Sequence, residues 1–327
     1  MANTSFFENL HGEFLNILNA VKGKKVAVFG HMRPDGDCIG SQTAMYLLLK
    51  NYGVKDVVCV NKDPVPTICK KFAVAEFVRA EDFNDADYEI ICVDCADFAR
   101  TLENAERIFK KPLACIDHHI TNKTYATYNV INPKAAATAE LLAGIMFGLN
   151  IKISPEQASA LYLGLATDTR QFTTNSTTAT SLKIAGLLLE NKADIASISI
   201  ELYQREKFAK QKLLARYLES IRLYENGRIC GGTITLNDYA QTGATKEDAD
   251  GLVDFARAID GVQIAFVVEE LKDAAKASLR SKSEKYAMNE VAGFFGGGGH
   301  ACAAGCNVKM NTREFTAKLL EQLAKKL

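Results

Sequence analysis

The feature that most narrows the fold is a repeated pairing of a short, unbroken apolar run with a polar exit. Val26-Ala27-Val28-Phe29 leads into Gly30 and then His31-Met32-Arg33-Pro34-Asp35-Gly36-Asp37. Glu89 to Val93 ends in Asp94-Cys95-Ala96-Asp97, and Leu113 to Ile116 ends in Asp117-His118-His119. A fourth run, Asp56 to Val60, has no such exit. Continuous rather than alternating apolar runs are expected of strands covered on both faces. Between and beyond them, residues 5–21 (Phe6, Phe7, Leu10, Phe14, Leu15, Leu18), 40–50, 138–149 and 155–168 carry helical periodicity. The alternation predicts an α/β fold, a parallel Rossmann-like sheet flanked by helices. Ligands of such sheets bind outside the carboxyl ends of the strands, where three of the four exits place acids or imidazoles.

The 327 residues leave room for a second core. No Gly or Pro occurs from Leu187 to Asn226, so the spacing predicts a first domain over 1–190, a semi-rigid helical linker over 191–226 and a second domain over 227–327. Strand signals at 229–236, 262–269 and 277–280 and a closing helix at 312–326 make the second domain a smaller α+β unit. Its unusual stretch is Phe294-Phe295-Gly296-Gly297-Gly298-Gly299-His300. Lys plus Arg and Asp plus Glu balance at 39 each, which excludes a global basic field and with it long duplex DNA as the expected partner. No apolar run approaches the roughly 20 residues of a membrane span, and the N-terminus lacks a signal-peptide pattern. Nine cysteines, several inside apolar runs (Cys59, Cys92, Cys115), fit reduced thiols better than disulfides, so a cytoplasmic location is expected. Cys92-x2-Cys95 and Cys302-x3-Cys306 have zinc-like spacing, but the second pair lies in a Gly/Ala loop far along the chain, and no zinc site is expected.

Four of the five histidines, His31, His118, His119 and His300, fall in the strand exits or the Gly-rich stretch. In isolation the first exit also reads as an Asx-rich turn with a capping Asp. Taken together, His31, Asp35, Asp37, Asp94, His118 and Asp168 put four carboxylates in one crevice with only Arg33 interleaved. Divalent cations balance that charge better than side-chain cations do. Mostly oxygen with one imidazole per ion suits octahedral Mn²⁺, with Mg²⁺ or Co²⁺ as alternatives. Two such ions about 3.5–4 Å apart form the arrangement used for in-line displacement at phosphorus.

These motifs resemble the DHH phosphoesterase superfamily over almost the whole chain. The resemblance is carried by Gly30 to Ser41, Val93-Asp94, Asp117-His118-His119, Leu163 to Thr169 and, for the DHH-associated C-terminal domain, Gly296 to His300. Length and Ser278-Leu279-Arg280-Ser281 look most like the nanoRNase/pAp phosphatase group. The resemblance implies one cation on His31, Asp35 and Asp94 and another on Asp37, Asp94, His118 and Asp168, with Asp94 bridging. It implies an active site in the cleft between the two domains, where a metal-bridging hydroxide attacks phosphorus. The implied substrates are short single-stranded RNA, dinucleotides or 3′-phosphoadenosine 5′-phosphate, with a homodimer left open. Among catalytic residues beside Asp94, His119 is assigned to contact or protonate the scissile group, and Asp117 to fix an imidazole. Arg280 and Ser281, with Gly297, Gly298, Gly299 and His300, are assigned to substrate phosphate, the glycines as an anion-cradling nest. Arg100, with Asp97, lies one turn beyond Asp94, placed for substrate contact or helix capping. Cyclic or linear dinucleotides are the rival substrates, and a non-catalytic nucleotide sensor the distant alternative.

Overall fold

The computed structural model describes residues 6–84 and 86–327, so the first residue of the helix expected over 5–21 lies outside it. The chain divides into two compact units between Arg205 and Glu206. The first runs α1 (Glu8–Val21), β1 (Lys25–Phe29), α2 (Gly36–Asn51), β2 (Asp56–Asn61), β3 (Phe77–Arg79), β4 (Tyr88–Val93), α3 (Ala105–Ile108), β5 (Ala114–Asp117), β6 (Tyr128–Ile131), α4 (Thr138–Gly148), α5 (Pro155–Asp168), α6 (Ala179–Glu190) and α7 (Ile195–Tyr203). Its sheet is parallel throughout, in the order β3-β2-β1-β4-β5-β6. The order reverses between β1 and β4, so the loops leaving these neighbours diverge and open a crevice at their carboxyl ends.

The unbroken apolar runs follow from two separate cores. Val26, Val28, Ile91, Val93 and Ile116 bury into a large core shared with α1, α2, α4, α5 and α6, while Ala27, Phe29, Ile90, Cys92 and Cys115 bury on the opposite face. That second face is closed by the short α3 and by aromatic loop residues: Phe29 meets Phe83 at 5.6 Å and Phe109 at 5.1 Å between ring centroids, both edge-on. Edge-to-face geometry of this kind favours aromatic pairs beyond their buried area.

Helix α2 starts four residues before the Gly40 expected from periodicity. Asp35 is its N-cap, one oxygen accepting from the N–H groups of Asp37 and Cys38 at 3.1 Å, so Asp37 sits inside the first turn. The helix is buried along nearly its whole length, which hides the amphipathic signal that would have marked its start. It packs on α5 at very short range: a Cβ on Gly40 would lie 2.2 Å from the Ala160 carbonyl oxygen, and one on Gly164 2.6 Å from Asp37 Oδ1.

The second unit comprises α8 (Phe208–Ser220), β7 (Arg222–Tyr224), β8 (Ile229–Ile234), α9 (Leu236–Thr242), α10 (Leu252–Arg257), β9 (Ile264–Leu271), β10 (Ala274–Ser281), α11 (Met288–Phe294), β11 (Gly298–His300), β12 (Ala303–Val308) and α12 (Thr312–Ala324). Its sheet has the order β11-β12-β10-β9-β8-β7, with only β8 and β9 parallel. The helical stretch expected as a linker is shared between the units. Ile198 of α7 joins the core of the first, whereas Leu213 and Tyr217 of α8 are fully buried in the second, the Tyr217 hydroxyl donating to the Phe266 carbonyl at 2.8 Å. The apolar face of α8 requires a partner surface, and β8 and β9 supply it. No helix among the described residues is long and apolar enough to cross a membrane.

Candidate metal centre

Six of the sequence-predicted ligands converge at the reversal point of the parallel sheet. Asp94, the residue after β4, has φ of 54°, a left-handed conformation that costs an L-residue on the order of 1–3 kcal/mol and persists only where the surroundings impose it. In this pose Asp94 Oδ2 lies 3.3 Å from His31 Nε2, and Oδ1 lies 3.6 Å from His118 Nε2. One buried carboxylate thus turns one oxygen to His31 and the other to His118, the latter oxygen also lying 3.6 Å from His119 Nδ1. Both rings are oriented from behind: His31 Nδ1 donates to the Met32 carbonyl at 2.9 Å and His118 Nδ1 to the Ala135 carbonyl at 3.2 Å. Their Nε2 atoms are left turned toward the carboxylates, the orientation a ligating imidazole needs.

Around His118 the set is completed by Asp168 Oδ2 at 3.3 Å and Asp37 Oδ2 at 4.0 Å. Asp168 is the last residue of α5, one turn past Gly164, so the close crossing of α2 and α5 brings the two acids to one ring. Asp37 is fully buried and sits on the N-terminus of α4, whose N-cap Ala137 offers no capping oxygen. Asp37 supplies it from another element, accepting from the N–H of Thr138 at 2.7 Å and of Ala139 at 2.8 Å. The Thr138 hydroxyl donates to Asp94 at 3.1 Å. The role of Thr138 went unread in the sequence; a helix opening on Ala135-Ala136-Ala137 with no cap of its own was the available signal.

Asp35 stands slightly apart. One of its oxygens is 3.8 Å from His31 Nε2, but the side chain is half exposed and the same oxygen caps α2. Cys38, fully buried and not anticipated, lies with His31 and Asp94 in a group whose ligand atoms are all within 4.8 Å of one another. Similar groups are formed by Asp94, His118 and His119 and by Asp37, His118 and Asp168. His119 has a different anchor: its Nδ1 donates to Asp117 Oδ1 at 2.7 Å, and Asp117 is held in turn by Asn122 Nδ2 at 2.7 Å.

The electrostatics are those of an under-neutralised cavity. Among the described residues no Lys or Arg reaches Asp37 or Asp94. Burial, reinforced by Asp94 and Asp168, holds the Asp37 carboxyl well above the usual range, and burial also raises Asp94. Burial disfavours the imidazolium of His31 and His118, yet the surrounding carboxylates outweigh it and push both up to about 10. His119 is raised chiefly by its hydrogen bond to Asp117. An excess of negative charge contributes to all of these shifts, and bound cations would offset it.

The second-unit residues share a different geometry. The register aligns Arg280 of β10 with Ala303 of β12, and Ala303 with His300 of β11, so Arg280 and His300 lie in one row across three strands and on one face. Arg280 Nε is 3.9 Å from Asp254 Oδ1, a weak contact that leaves the guanidinium partly exposed. Ser281 is buried, its hydroxyl donating to the Ser283 carbonyl. The Gly-rich stretch is a sheet edge rather than an open loop: a Cβ on Gly297 would meet the Gly305 carbonyl oxygen at 2.2 Å, and Gly299 has φ of 140°. The glycines let β11 approach β12, while Gly298, Gly299 and His300 are exposed. Near the metal centre, Asp97 caps the Ala99 N–H at 3.1 Å and pairs with Lys123, whereas the side chain of Arg100 is exposed.

Fold and site together define a two-unit α/β protein with a carboxylate–imidazole centre at the switch point of its parallel sheet. Residues 25–165 match the model of the DHH family, N-terminal domain, and residues 229–326 match that of the DHHA1 domain. The chain belongs to the DHH family. It is 27% identical over 299 residues to the bifunctional oligoribonuclease and PAP phosphatase NrnA of Thermus thermophilus, covering 90% of this chain and 86% of that one. It is 29% identical over 303 residues to the probable bifunctional oligoribonuclease and PAP phosphatase NrnA of Streptococcus mutans, covering 90% and 93%. An exopolyphosphatase-related protein of Bacteroides fragilis shares the fold, with a TM-score of 0.81 at 24% identity over 97% of this chain and 96% of that one.

Proposed function

We propose that this DHH-family hydrolase cleaves phosphate esters of short oligoribonucleotides, of 3′-phosphoadenosine 5′-phosphate, or of both. The observation that carries the reading is Asp94, which presents one oxygen to His31 and the other to His118, with no Lys or Arg among the described residues to neutralise it. The names and coverage of the NrnA relatives support the substrate class.

The donor set fits two divalent cations, Mn²⁺ first and Mg²⁺ or Co²⁺ as alternatives: His31, Asp35 and Asp94 for one, and Asp37, Asp94, His118 and Asp168 for the other. When bound, such ions supply Lewis acidity toward the phosphoryl oxygens and a water of lowered pKa. The chain's own groups do the rest. The N–H groups of Thr138 and Ala139 lock Asp37, and the Thr138 hydroxyl locks Asp94, so the acceptor oxygens are pre-positioned. His119, fixed through Nδ1 by Asp117, keeps its other ring nitrogen for a phosphate oxygen or the leaving group. In the second unit, Arg280 and His300 bind the part of the substrate remote from the reacting bond, with the exposed edge of Gly298 and Gly299 beside them.

A panel of a 5′-phosphorylated diribonucleotide, 3′-phosphoadenosine 5′-phosphate and cyclic di-AMP, assayed with Mn²⁺ and with a chelator control, tests the reading. Turnover of one or both of the first two, abolished by the chelator, is expected. Preferential turnover of the cyclic dinucleotide, or activity indifferent to chelation, contradicts it.

A further inference from the structure

Beside the metal centre, the loops leaving β2, β1 and β4 enclose a cleft of about 580 Å³, with His31 on its wall. That volume is in the range of pockets that hold nucleotide-sized ligands. The loops are stitched together by their backbones. The Met32 N–H donates to the Arg100 carbonyl at 2.6 Å, and the Arg33 N–H donates to Asp63 Oδ2 at 2.7 Å. Arg33 is held at φ of 54°, a strained pose for a non-glycine residue, which this stitching maintains.

The cleft's lining carries three cations, Arg33, Lys62 and Arg100, and three carboxylates, Asp35, Asp63 and Glu103, Asp35 being one of the ligands assigned to the centre. Lys62 is paired with Glu103, and Asp63 is occupied by the Arg33 N–H. Among the described residues the guanidinium groups of Arg33 and Arg100 make no hydrogen bond or ion pair, Arg100 acting on Asp97 only through its charge, and both side chains are exposed. Two exposed planar forks on one cleft, neither engaged in a hydrogen bond among the described residues, suit an anion with several oxygens, since a guanidinium recognises phosphate through paired N–H donors.

We propose that this cleft binds a second phosphodiester of the substrate chain, one nucleoside beyond the bond held at the metal centre. The proposal rests on the phosphoesterase reading above and deepens it. The catalytic unit then carries its own length sensor, independent of Arg280 and His300. A trinucleotide presents a phosphate to Arg33 and Arg100 while its neighbour occupies the centre, and a dinucleotide has no further internal phosphate to offer.

The test compares kcat/KM of the full-length, Mn²⁺-loaded chain on a triribonucleotide and the matching diribonucleotide, both with hydroxyl termini so that the dimer carries a single phosphate. The variants are Arg33→Asn (Asn tolerates the left-handed backbone), Arg100→Ala, both together, and the charge-retaining Arg33→Lys and Arg100→Lys. Circular dichroism checks the fold of each. The wild type should favour the trimer, and the double variant should lower the trimer-to-dimer ratio by about tenfold or more, with partial recovery in the Lys variants. A wild type with no trimer preference, a double variant with an unchanged ratio, or equal losses on both substrates each overturns the assignment. Equal loss would place the arginines at the reacting phosphate instead. Equilibrium dialysis of the same oligonucleotides, carrying a phosphorothioate at every internucleotide bond to slow turnover, separates the two readings. If the wild type hydrolyses neither substrate yet binds the trimer more tightly in an Arg-dependent way, the phosphoesterase reading fails and the cleft stands. If it hydrolyses both and neither ratio nor binding depends on the arginines, the cleft fails alone.

Discussion

His118 and His119 are adjacent in sequence and both lie 3.6 Å from Asp94 Oδ1, yet each ring is oriented by a different hydrogen bond. The first ring is aimed from behind by the Ala135 carbonyl, the second by Asp117. His119→Ala should therefore lower kcat by about 10² or more while metal content stays at the wild-type level, because a single acid–base or charge-stabilising group is worth that much. Parallel loss of metal and activity would mean that the two rings have exchanged roles. The carboxylates also make the metal-free centre a pH-sensitive element. Folded His31 and His118 titrate near 10, against about 6.5 in the unfolded chain. Their contribution to stability is fully present below pH 6.5 and is lost as pH rises through 10. Asp37 and Asp94, raised above the usual carboxylate range, act in the same direction, since the native state favours their protonated forms. The Tm of the chelator-treated chain should fall between pH 6.5 and 10, and saturating Mn²⁺ should flatten that fall. A Tm that rises with pH in the chelated chain contradicts this account of the centre.

At the scale of elements, the centre depends on how closely α2 and α5 cross. Gly40→Ala places a methyl 2.2 Å from the Ala160 carbonyl, which cannot yield without moving a helix. Overpacking of this kind costs typically 1–3 kcal/mol and here also separates Asp37 from Asp168. A lower urea midpoint together with reduced metal content is the expected result; full metal content with unchanged stability contradicts it. The same crossing shows what the sequence could reveal. Strands β1, β2, β4 and β5 were legible because each is buried on both faces and reads as an unbroken apolar run. The edge strands β3 and β6 were not, since their residues are mostly only partly buried. The first turn of α2 was hidden because it is polar and yet buried, with Gly36 and Asp37 enclosed by α4 and α5. His31, Asp35, Asp37, Asp94 and His118 were singled out by their positions at strand exits, and Asp168 by its place at the end of a helix. What no spacing rule conveys is that Asp37 doubles as the cap of α4, or that the glycines before His300 serve strand pairing in β11.

Across the whole molecule, the boundary at Arg205 and Glu206 assigns a helix to each unit where a connecting helix was expected, because the apolar faces of α7 and α8 pack into different cores. In the function proposed here the first unit carries the chemistry, and Arg280 of the second adds a contact to the substrate. Arg280→Ala should lower kcat/KM for nucleotide substrates by roughly 10–200-fold relative to its effect on bis-p-nitrophenyl phosphate, the loss of one charge-assisted contact of about 1.5–3 kcal/mol. An equal loss on both substrates would make Arg280 a support of the fold through Asp254 instead. The most direct test of the central claim, that one carboxylate joins two cation sites, is metal stoichiometry and turnover of Asp94→Ala beside the wild type. Two equivalents in the wild type, fewer than two in the variant and activity abolished are predicted. A variant that keeps two equivalents and near-normal turnover contradicts the assignment.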